Sequence, residues 1–431
     1  MINKNNIFIV FLLSLGTLLG AFFAFIIQVI LARKLGVNEF GIFSSTFAMI
    51  VLVSPLAGLD ISQLWLKVYG EEGWSANRWM PSSIVFIILS TTITLLIIVF
   101  WAFFGNHDYQ TRELIFILSF YILGQVSLSL ISSKLQLEES YIKLSMLQLL
   151  PHFIRTILVV LLAFVFSQWM TIENIAMIYA LVSIGLVYMA YIHVKEMYNN
   201  TFLLHGHNDK KTINMPKPNI SYVLQKTWPF GLASFFYFIY FQSDIVLIKY
   251  MIDDTAAAIY NVAFTVLAAI YLFPAVIYQK FLLPKIHRWA SNDRKKFYEV
   301  YTKGNVLMFI LGTFIMFIVW GVSSWSIPLI FGEDYKSSAI LLNLLALTIP
   351  MIFVAHSIGS TLVTKEHMKN KVIFMGMVAI INLVLNIILI PTYNIFGAAI
   401  STVISNIILV LVYYIYAKKI VFKEKVHKGL K

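Results

Sequence analysis

Cysteine is absent from this sequence, and charge is scarce: only 12% of the 431 residues are Asp, Glu, Lys or Arg, against 60% that are hydrophobic. The missing thiols exclude disulfides, thiolate metal sites and S-acylation. So little charge, with a mean hydropathy of +0.83, excludes an ordinary soluble globular domain. The sequence also lacks a G-x-x-x-x-G-K-[ST] phosphate loop, a zinc-protease motif and a G-x-S-x-G elbow, so ATP-driven and hydrolytic chemistry have no signature here. Alternating ten-residue strands, the mark of a membrane barrel, do not occur. No catalytic residue and no metal site are assigned. His205-Gly206-His207 is too isolated to make a metal site.

What the sequence does contain is a succession of long apolar runs. A hydrocarbon core about 30 Å thick takes roughly 20 residues of apolar helix. Twelve runs meet that length: 7–31, 41–66, 82–104, 112–133, 144–167, 173–193, 227–248, 256–280, 304–328, 338–361, 372–391 and 397–417. The predicted class is an all-α polytopic membrane protein of twelve transmembrane helices. Residues 7–31 exceed a signal-peptide core and lack a small-residue cleavage site, so they count as the first span.

Between the sixth and seventh spans lies Lys195–Lys226, with five lysines, a Pro-Lys-Pro and only scattered apolar residues. It reads as a solvated linker. The predicted organisation is a six-helix bundle over 1–194, a cytoplasmic linker over 195–226, a second six-helix bundle over 227–417 and a basic tail over 418–431. Of the 32 lysines and arginines, 26 fall in the N-terminus, the even-numbered connections and the tail, while five fall in the opposite connections. Because basic residues favour the cytoplasmic side, both termini are predicted to be cytoplasmic. The net charge of +12 is thus a topology signal that meets anionic lipid headgroups, and a nucleic-acid partner is not expected.

The two halves echo each other. ILARKLGVNEFGIFSSTF (30–47) aligns with VLIKYMIDDTAAAIYNVAF (246–264), and FFGNHDYQ (103–110) with IFGEDYK (330–336), each just before the fourth span of its half. SQWMTIENIA and IPTYNIFGAA likewise precede the two sixth spans. Six spans is an even number, so the halves form a parallel repeat about an axis along the membrane normal, an arrangement common in secondary transporters.

QVILARKLGVNEFGIF (28–43), SDIVLIKYM with AAIYNVAFTV (243–266), LIFGEDYKSSAILLNLLAL (329–347) and INLVLNIILIPTYNIFGAAISTVISN (381–406) together resemble the polysaccharide-export branch of the MOP flippase superfamily, the Wzx-type flippases of O-antigen and capsule repeat units. The resemblance implies two pseudo-symmetric six-helix bundles in a MOP/MATE-like fold around a cavity that opens alternately to each side. It implies no enzymatic activity, and a substrate made of an oligosaccharide carried on undecaprenyl pyrophosphate. The location it implies is the bacterial cytoplasmic (inner) membrane. Implied partners are the lipid-linked oligosaccharide and membrane lipids, with a polysaccharide polymerase and a chain-length regulator as further candidates.

Against that background the polar residues inside the spans are the candidate sites. Arg155 sits in the middle of the fifth span, where a cation costs roughly 2.5–3.5 kcal/mol to insert. Its bidentate, permanent charge suits a pyrophosphate, and a buried ion pair is the alternative. Lys280, at the end of the eighth span, is a candidate to attract an incoming pyrophosphate, although ordinary positive-inside placement explains it too. Gln28 and Asn382 are candidate contacts to sugar, interhelical hydrogen bonding being their usual role. Asp60 and Asp244 are candidates for charge pairing or for binding a coupling H⁺ or Na⁺; no other cofactor is expected. His152 and His356 read as packed polar residues, and Gly16-x-x-x-Gly20 as a place where helices approach closely.

Two other readings stay open at this point. An ion-coupled drug or cation antiporter of the MATE type shares the architecture, but would favour an acidic, aromatic cavity over Arg155. A membrane-embedded polysaccharide polymerase or ligase would be expected to carry a long outward loop with catalytic residues, and the outward connections here are ten residues or fewer.

Overall fold

The computed structural model describes residues 4–206, 215–282, 285–286, 289–290, 293–362 and 367–422, the side chains of 4–11 and 279–281 excepted. Among them all the regular secondary structure is helical. The long helices are α1 (Lys4–Leu35), α2 (Val37–Val53), α3 (Ile61–Glu72), α4 (Met80–Phe104), α5 (Tyr109–Leu137), α6 (Tyr141–Phe164), α7 (Ile172–Tyr198) and α8 (Ile220–Met251). They continue with α9 (Asp254–Ala275), α10 (Arg294–Phe331), α11 (Lys336–Leu345), α12 (Thr348–Thr361), α13 (Met368–Tyr393) and α14 (Ile395–Tyr416).

Among the described residues ten helical stretches are long and apolar enough to cross a membrane, or eleven when Glu333–Leu345 and Thr348–Thr361, bent by 50°, count as one span. The sequence reading gives twelve. The difference lies in Val37–Phe104, an apolar stretch of 68 residues that contains two of the predicted spans. At about 1.5 Å per residue this stretch is roughly 100 Å long, three times the hydrocarbon thickness. It is interrupted rather than continuous. Pro55 sits at the start of a 3₁₀ turn, and Gly58, Leu59 and Asp60 follow with φ of 72°, 42° and 53°. Left-handed backbone at two non-glycine residues in succession is strained, by roughly 1–3 kcal/mol each. The predicted span 338–361 is likewise two helices, α11 and α12.

The described residues group into two compact units, one within Met1–Ile30 and Ile42–Gln242, the other within Leu31–Gly41 and Ser243–Lys431. The division falls inside α1, α2 and α8, and not within 195–226.

In the first unit, small residues bring helices together. Gly124 of α5 lies so close to α7 that an added Cβ would meet Ser183 Oγ at 2.6 Å. Gly16 and Gly20 of α1 pack on α6, against Ser145 and against the Gln148 carbonyl and His152 ring. Across the same seam Ser145 Oγ donates to the Leu12 carbonyl at 2.8 Å and Thr156 Oγ1 to that of Phe23 at 3.2 Å. A polar seam of this kind holds helices together where lipid supplies no hydrophobic drive.

The 195–226 segment is only partly solvated. Phe202 and Leu204, two residues apart, both point into an aromatic core with Trp65, Tyr69, Trp74 and Trp79. The His205 N–H donates to the Leu137 carbonyl at 3.2 Å, and Ser82 Oγ to that of Pro218 at 2.6 Å. Arg78, paired with Glu72 at 2.9 Å, donates to the Pro216 carbonyl. Scattered apolar residues suggest a loop in sequence, but an extended stretch sends alternate side chains to one face. These contacts pin down the described residues on either side of 207–214.

In the second unit, Gly312 of α10 lets Pro350 of α12 approach, an added Cβ meeting its Cα at 2.6 Å. Gly397 near the start of α14 lies against the backbone of Leu389 in α13. FGNHDY (104–109) and FGEDY (331–335) both end a helix at the glycine, Gly105 after α4 and Gly332, at φ 116°, after α10.

Candidate functional site

Among the described residues, each unit buries one charged side chain that makes no ion pair; Lys134 near the end of α5 is buried too, but pairs with Glu138 and Glu196. In the first unit the unpaired one is Arg155 on α6, only 2% exposed. Its guanidinium carbon lies 5.1 Å from the ring centre of Tyr121 on α5 and 4.7 Å from that of Tyr179 on α7. Phe47 of α2 closes the surround, 4.9 Å from Tyr121 and 5.2 Å from Tyr179. Among the described residues no carboxylate pairs with Arg155, and its Nε and Nη2 have no hydrogen-bond partner. The predicted alternative of a buried ion pair is not what the described residues form. Desolvated cation–π contacts contribute about 2 kcal/mol or more each. Two of them are of the same order as the insertion cost, so aromatic faces can hold the cation in place while Nε and Nη2 stay unpartnered among the described residues.

In the second unit the buried charge is Asp244 on α8, 3% exposed. One carboxylate oxygen accepts from Asn386 Nδ2 of α13 at 2.6 Å. The other accepts from the Tyr260 hydroxyl of α9 at 2.6 Å and from Thr402 Oγ1 of α14. Asn382, fully buried one turn before Asn386, accepts from Asn386 Nδ2 at 3.2 Å and from Ser243 Oγ at 3.3 Å, and donates to Ser401 Oγ at 3.3 Å. The i, i+4 spacing of Asn382 and Asn386 puts both amides on the face of α13 toward α14. Two amide oxygens, Asn386 Oδ1 and Asn406 Oδ1, are buried with no hydrogen-bond partner among the described residues. Asn406 also sits on α14, one turn beyond Thr402, and donates to its carbonyl at 2.8 Å. The cluster is therefore rich in acceptors.

Of the other predicted residues, Asp60 is half-buried at the break after α2. It accepts from Ser62 Oγ at 2.6 Å and, weakly, from Ser234 Oγ at 3.5 Å. Gln28 is half-buried on α1. The Lys280 side chain lies outside the described residues. The structure brings Asn382 together with Asp244 in one network and places Arg155 in the first unit. Sequence reasoning did not find the aromatic surround of Arg155, because Tyr121 and Tyr179 come from two other helices. Nor did it assemble Tyr260, Asn386 and Thr402 about Asp244, although the i, i+4 spacing of Asn382 and Asn386 was a usable signal. Among the described residues no three His, Asp or Glu side chains cluster as a metal site.

Comparison with known proteins agrees on family and fold. A family model described as "Polysaccharide biosynthesis protein" matches residues 9–289. The chain is 27% identical over 152 residues to the capsular polysaccharide biosynthesis protein CapF of Staphylococcus aureus, covering 35% of this chain and 38% of that protein. The alignment thus spans less than half of that relative. Among solved structures, lipid II flippase MurJ in an inward closed conformation superposes with a TM-score of 0.73 at 17% identity, covering 95% of this chain and 87% of that one. A multidrug resistance MATE family transporter of the MOP superfamily, inward-facing, gives 0.65 at 12% identity over 95% and 98% of the two chains. A eukaryotic MATE transporter gives 0.59 at 14% identity over 96% and 95%. These titles name transporters and a flippase, and the shared fold is theirs. The chain belongs to the polysaccharide biosynthesis protein family and is a multi-pass membrane protein with the MOP transporter fold.

Proposed function

We propose that this protein is a Wzx-type flippase, moving undecaprenyl-pyrophosphate-linked oligosaccharide repeat units of the O-antigen or capsule kind from the cytoplasmic to the outer leaflet of a bacterial inner membrane by alternating access. The termini are cytoplasmic in this reading, as the charge asymmetry indicates. The polyprenyl tail stays in lipid while the sugar headgroup crosses, and no covalent bond changes. The observation that carries the reading is Arg155: a permanent cation, buried, with Nε and Nη2 unpartnered among the described residues. A guanidinium held by ring faces keeps Nε–H and Nη2–H for an oxyanion, and these two donors meet pyrophosphate oxygens together. Family membership and the structural likeness to a lipid II flippase point the same way.

Asp244 supplies the coupling ion site in this reading. A carboxylate beside two unpartnered amide oxygens suits H⁺ or Na⁺, because both bind to oxygen acceptors. Asn382 orients that site, and Gln28, Lys280 and Asp60 remain secondary candidates for substrate or ion contact.

The test uses proteoliposomes containing a fluorescent undecaprenyl-pyrophosphate oligosaccharide, with flipping read as its accessibility to an external quencher. Wild type accelerates flipping. R155A, inserted to the same level, lowers the rate at least about tenfold, since losing a charge-assisted contact costs about 1.5–3 kcal/mol. Full flipping by R155A removes this role for Arg155. Flipping by neither protein, with drug efflux by both, moves the assignment to the antiporter reading.

A further inference from the structure

A half-buried cation in the other unit, Lys371, has no place in the mechanism above. Lys371 lies in the first turn of α13, half-buried within the helices of the second unit. Its Nζ is 3.7 Å from the point where a Cβ on Gly359 of α12 would stand, with the Tyr413 ring of α14 3.3 Å from the same point. The missing side chain of Gly359 thus leaves room for the ammonium between three helices. His356 is one turn back on α12, on the same face as Gly359, and lies close enough to feel the Lys371 charge. Among the described residues neither side chain makes an ion pair or a hydrogen bond. Among the described residues, which leave out Glu366, no carboxylate pairs with the lysine, unlike Lys134 in the first unit, which pairs with Glu138 at 2.8 Å and Glu196 at 2.6 Å.

The start of α13 is held firmly. Asn370 Nδ2 donates to the Tyr416 hydroxyl at 2.6 Å, and His367 Nδ1 lies 3.1 Å from the same hydroxyl. His367, at the N-cap, forms no side-chain capping bond, so no side chain there competes for the amide groups of the first turn. Helix N-termini favour anions. A cation withdrawn from water is costly unless a counter-charge meets it. Here a lysine, an imidazole and a helix start converge, and the described residues supply no such counter-charge.

We propose that Lys371, with His356 beside it, binds an oxyanion of the phosphate class at the N-terminal end of α13. An ammonium is a common point-charge partner for phosphate, and a neutral imidazole adds one N–H donor. The occupant is either a phosphate-bearing lipid headgroup or free inorganic phosphate. The site does not depend on the role given to Arg155, because all its residues lie in the second unit.

The test uses the full chain in nanodiscs. One arm titrates inorganic phosphate and follows ³¹P line broadening. The other compares phosphatidic acid in phosphatidylcholine with phosphatidylcholine alone, reading retained lipid by native mass spectrometry. K371Q weakens binding at least about tenfold, as loss of a charge-assisted contact should, and K371R restores it. Loss in both arms assigns a lipid headgroup, and loss in the phosphate arm alone assigns free phosphate. Unchanged binding in a folded K371Q, or phosphate binding lost in R155A but not in K371Q, overturns the proposal. Should K371Q fail to fold, G359A, which only takes space beside the ammonium, must weaken the same signals; unchanged signals there overturn it equally.

Discussion

The two units bury opposite charges and shelter them in opposite ways. Arg155 is surrounded by ring faces, with Tyr179 at 4.7 Å and Tyr121 at 5.1 Å, and two of its nitrogens lack hydrogen-bond partners among the described residues. Asp244 is surrounded by hydrogen-bond donors from three helices, and what stays unsatisfied are the amide oxygens nearby. The difference follows from what each charge needs. A guanidinium spreads its charge over a plane that rings can cover, whereas a carboxylate concentrates it on two oxygens that only donors stabilise. The cation is left with unused donors, and the anion site is left with unused acceptors. Each site is thus incomplete in the sense that suits a ligand of the opposite kind.

The largest effect that could break this contrast is on stability. D244A strands the Tyr260 hydroxyl, Thr402 hydroxyl and Asn386 amide in a dry interior, and unsatisfied buried groups cost about 1–3 kcal/mol apiece. With some rearrangement of the hydroxyls, we expect a net loss of roughly 3 kcal/mol, visible as a lower thermal midpoint in detergent. Next come the rings. Y179L removes the nearer face from Arg155 and is expected to cost about 2 kcal/mol, the scale of a desolvated cation–π contact. R155M should cost less than about 1 kcal/mol, because replacing a buried charge by an apolar side chain of similar length is often neutral or better. A Met variant that lost more stability than D244A would mean that Arg155 holds the unit together, and would weaken its claim to a ligand.

The sequence made much of this arrangement legible and hid the rest for identifiable reasons. Long apolar runs in a bilayer leave few alternatives to helix, so the class was plain from composition and run length. The division of Val37–Phe104 was harder. Nothing in LAGLD marks Leu59 and Asp60 as left-handed, because that conformation is imposed by packing, with Gly231 of α8 set against Leu59. Arg155 and Asp244 were visible because a charge inside an apolar run stands out. Their surroundings were not, because Tyr121, Tyr179, Tyr260 and Thr402 come from helices distant in sequence, and an aromatic or threonine in a span is unremarkable alone. By sequence, Lys371 falls between the predicted spans 338–361 and 372–391, among the basic residues of an even-numbered connection. Only the space left by Gly359 separates it from Lys369, which is exposed two residues earlier.

The smallest expected effect decides most about where coupling resides. Asp60 is the first unit's own buried acid, but it is half-buried and accepts a strong bond only from Ser62, at 2.6 Å. D60N keeps an oxygen for that serine. Asparagine also adopts the left-handed backbone readily, so the φ of 53° gives it no added strain. The stability change should therefore stay below about 0.5 kcal/mol, the usual range for a substitution that breaks no named contact. D244N, by contrast, puts an amide where three donors converge, so one of its hydrogen-bonding groups must face another donor. If Asp244 is the coupling acid, flipping in D60N keeps its response to an imposed Na⁺ or pH gradient while D244N loses it. The reverse result, with D60N insensitive to both gradients at unchanged stability, would move the coupling site to the broken helix of the first unit and leave the Asp244 network a structural one.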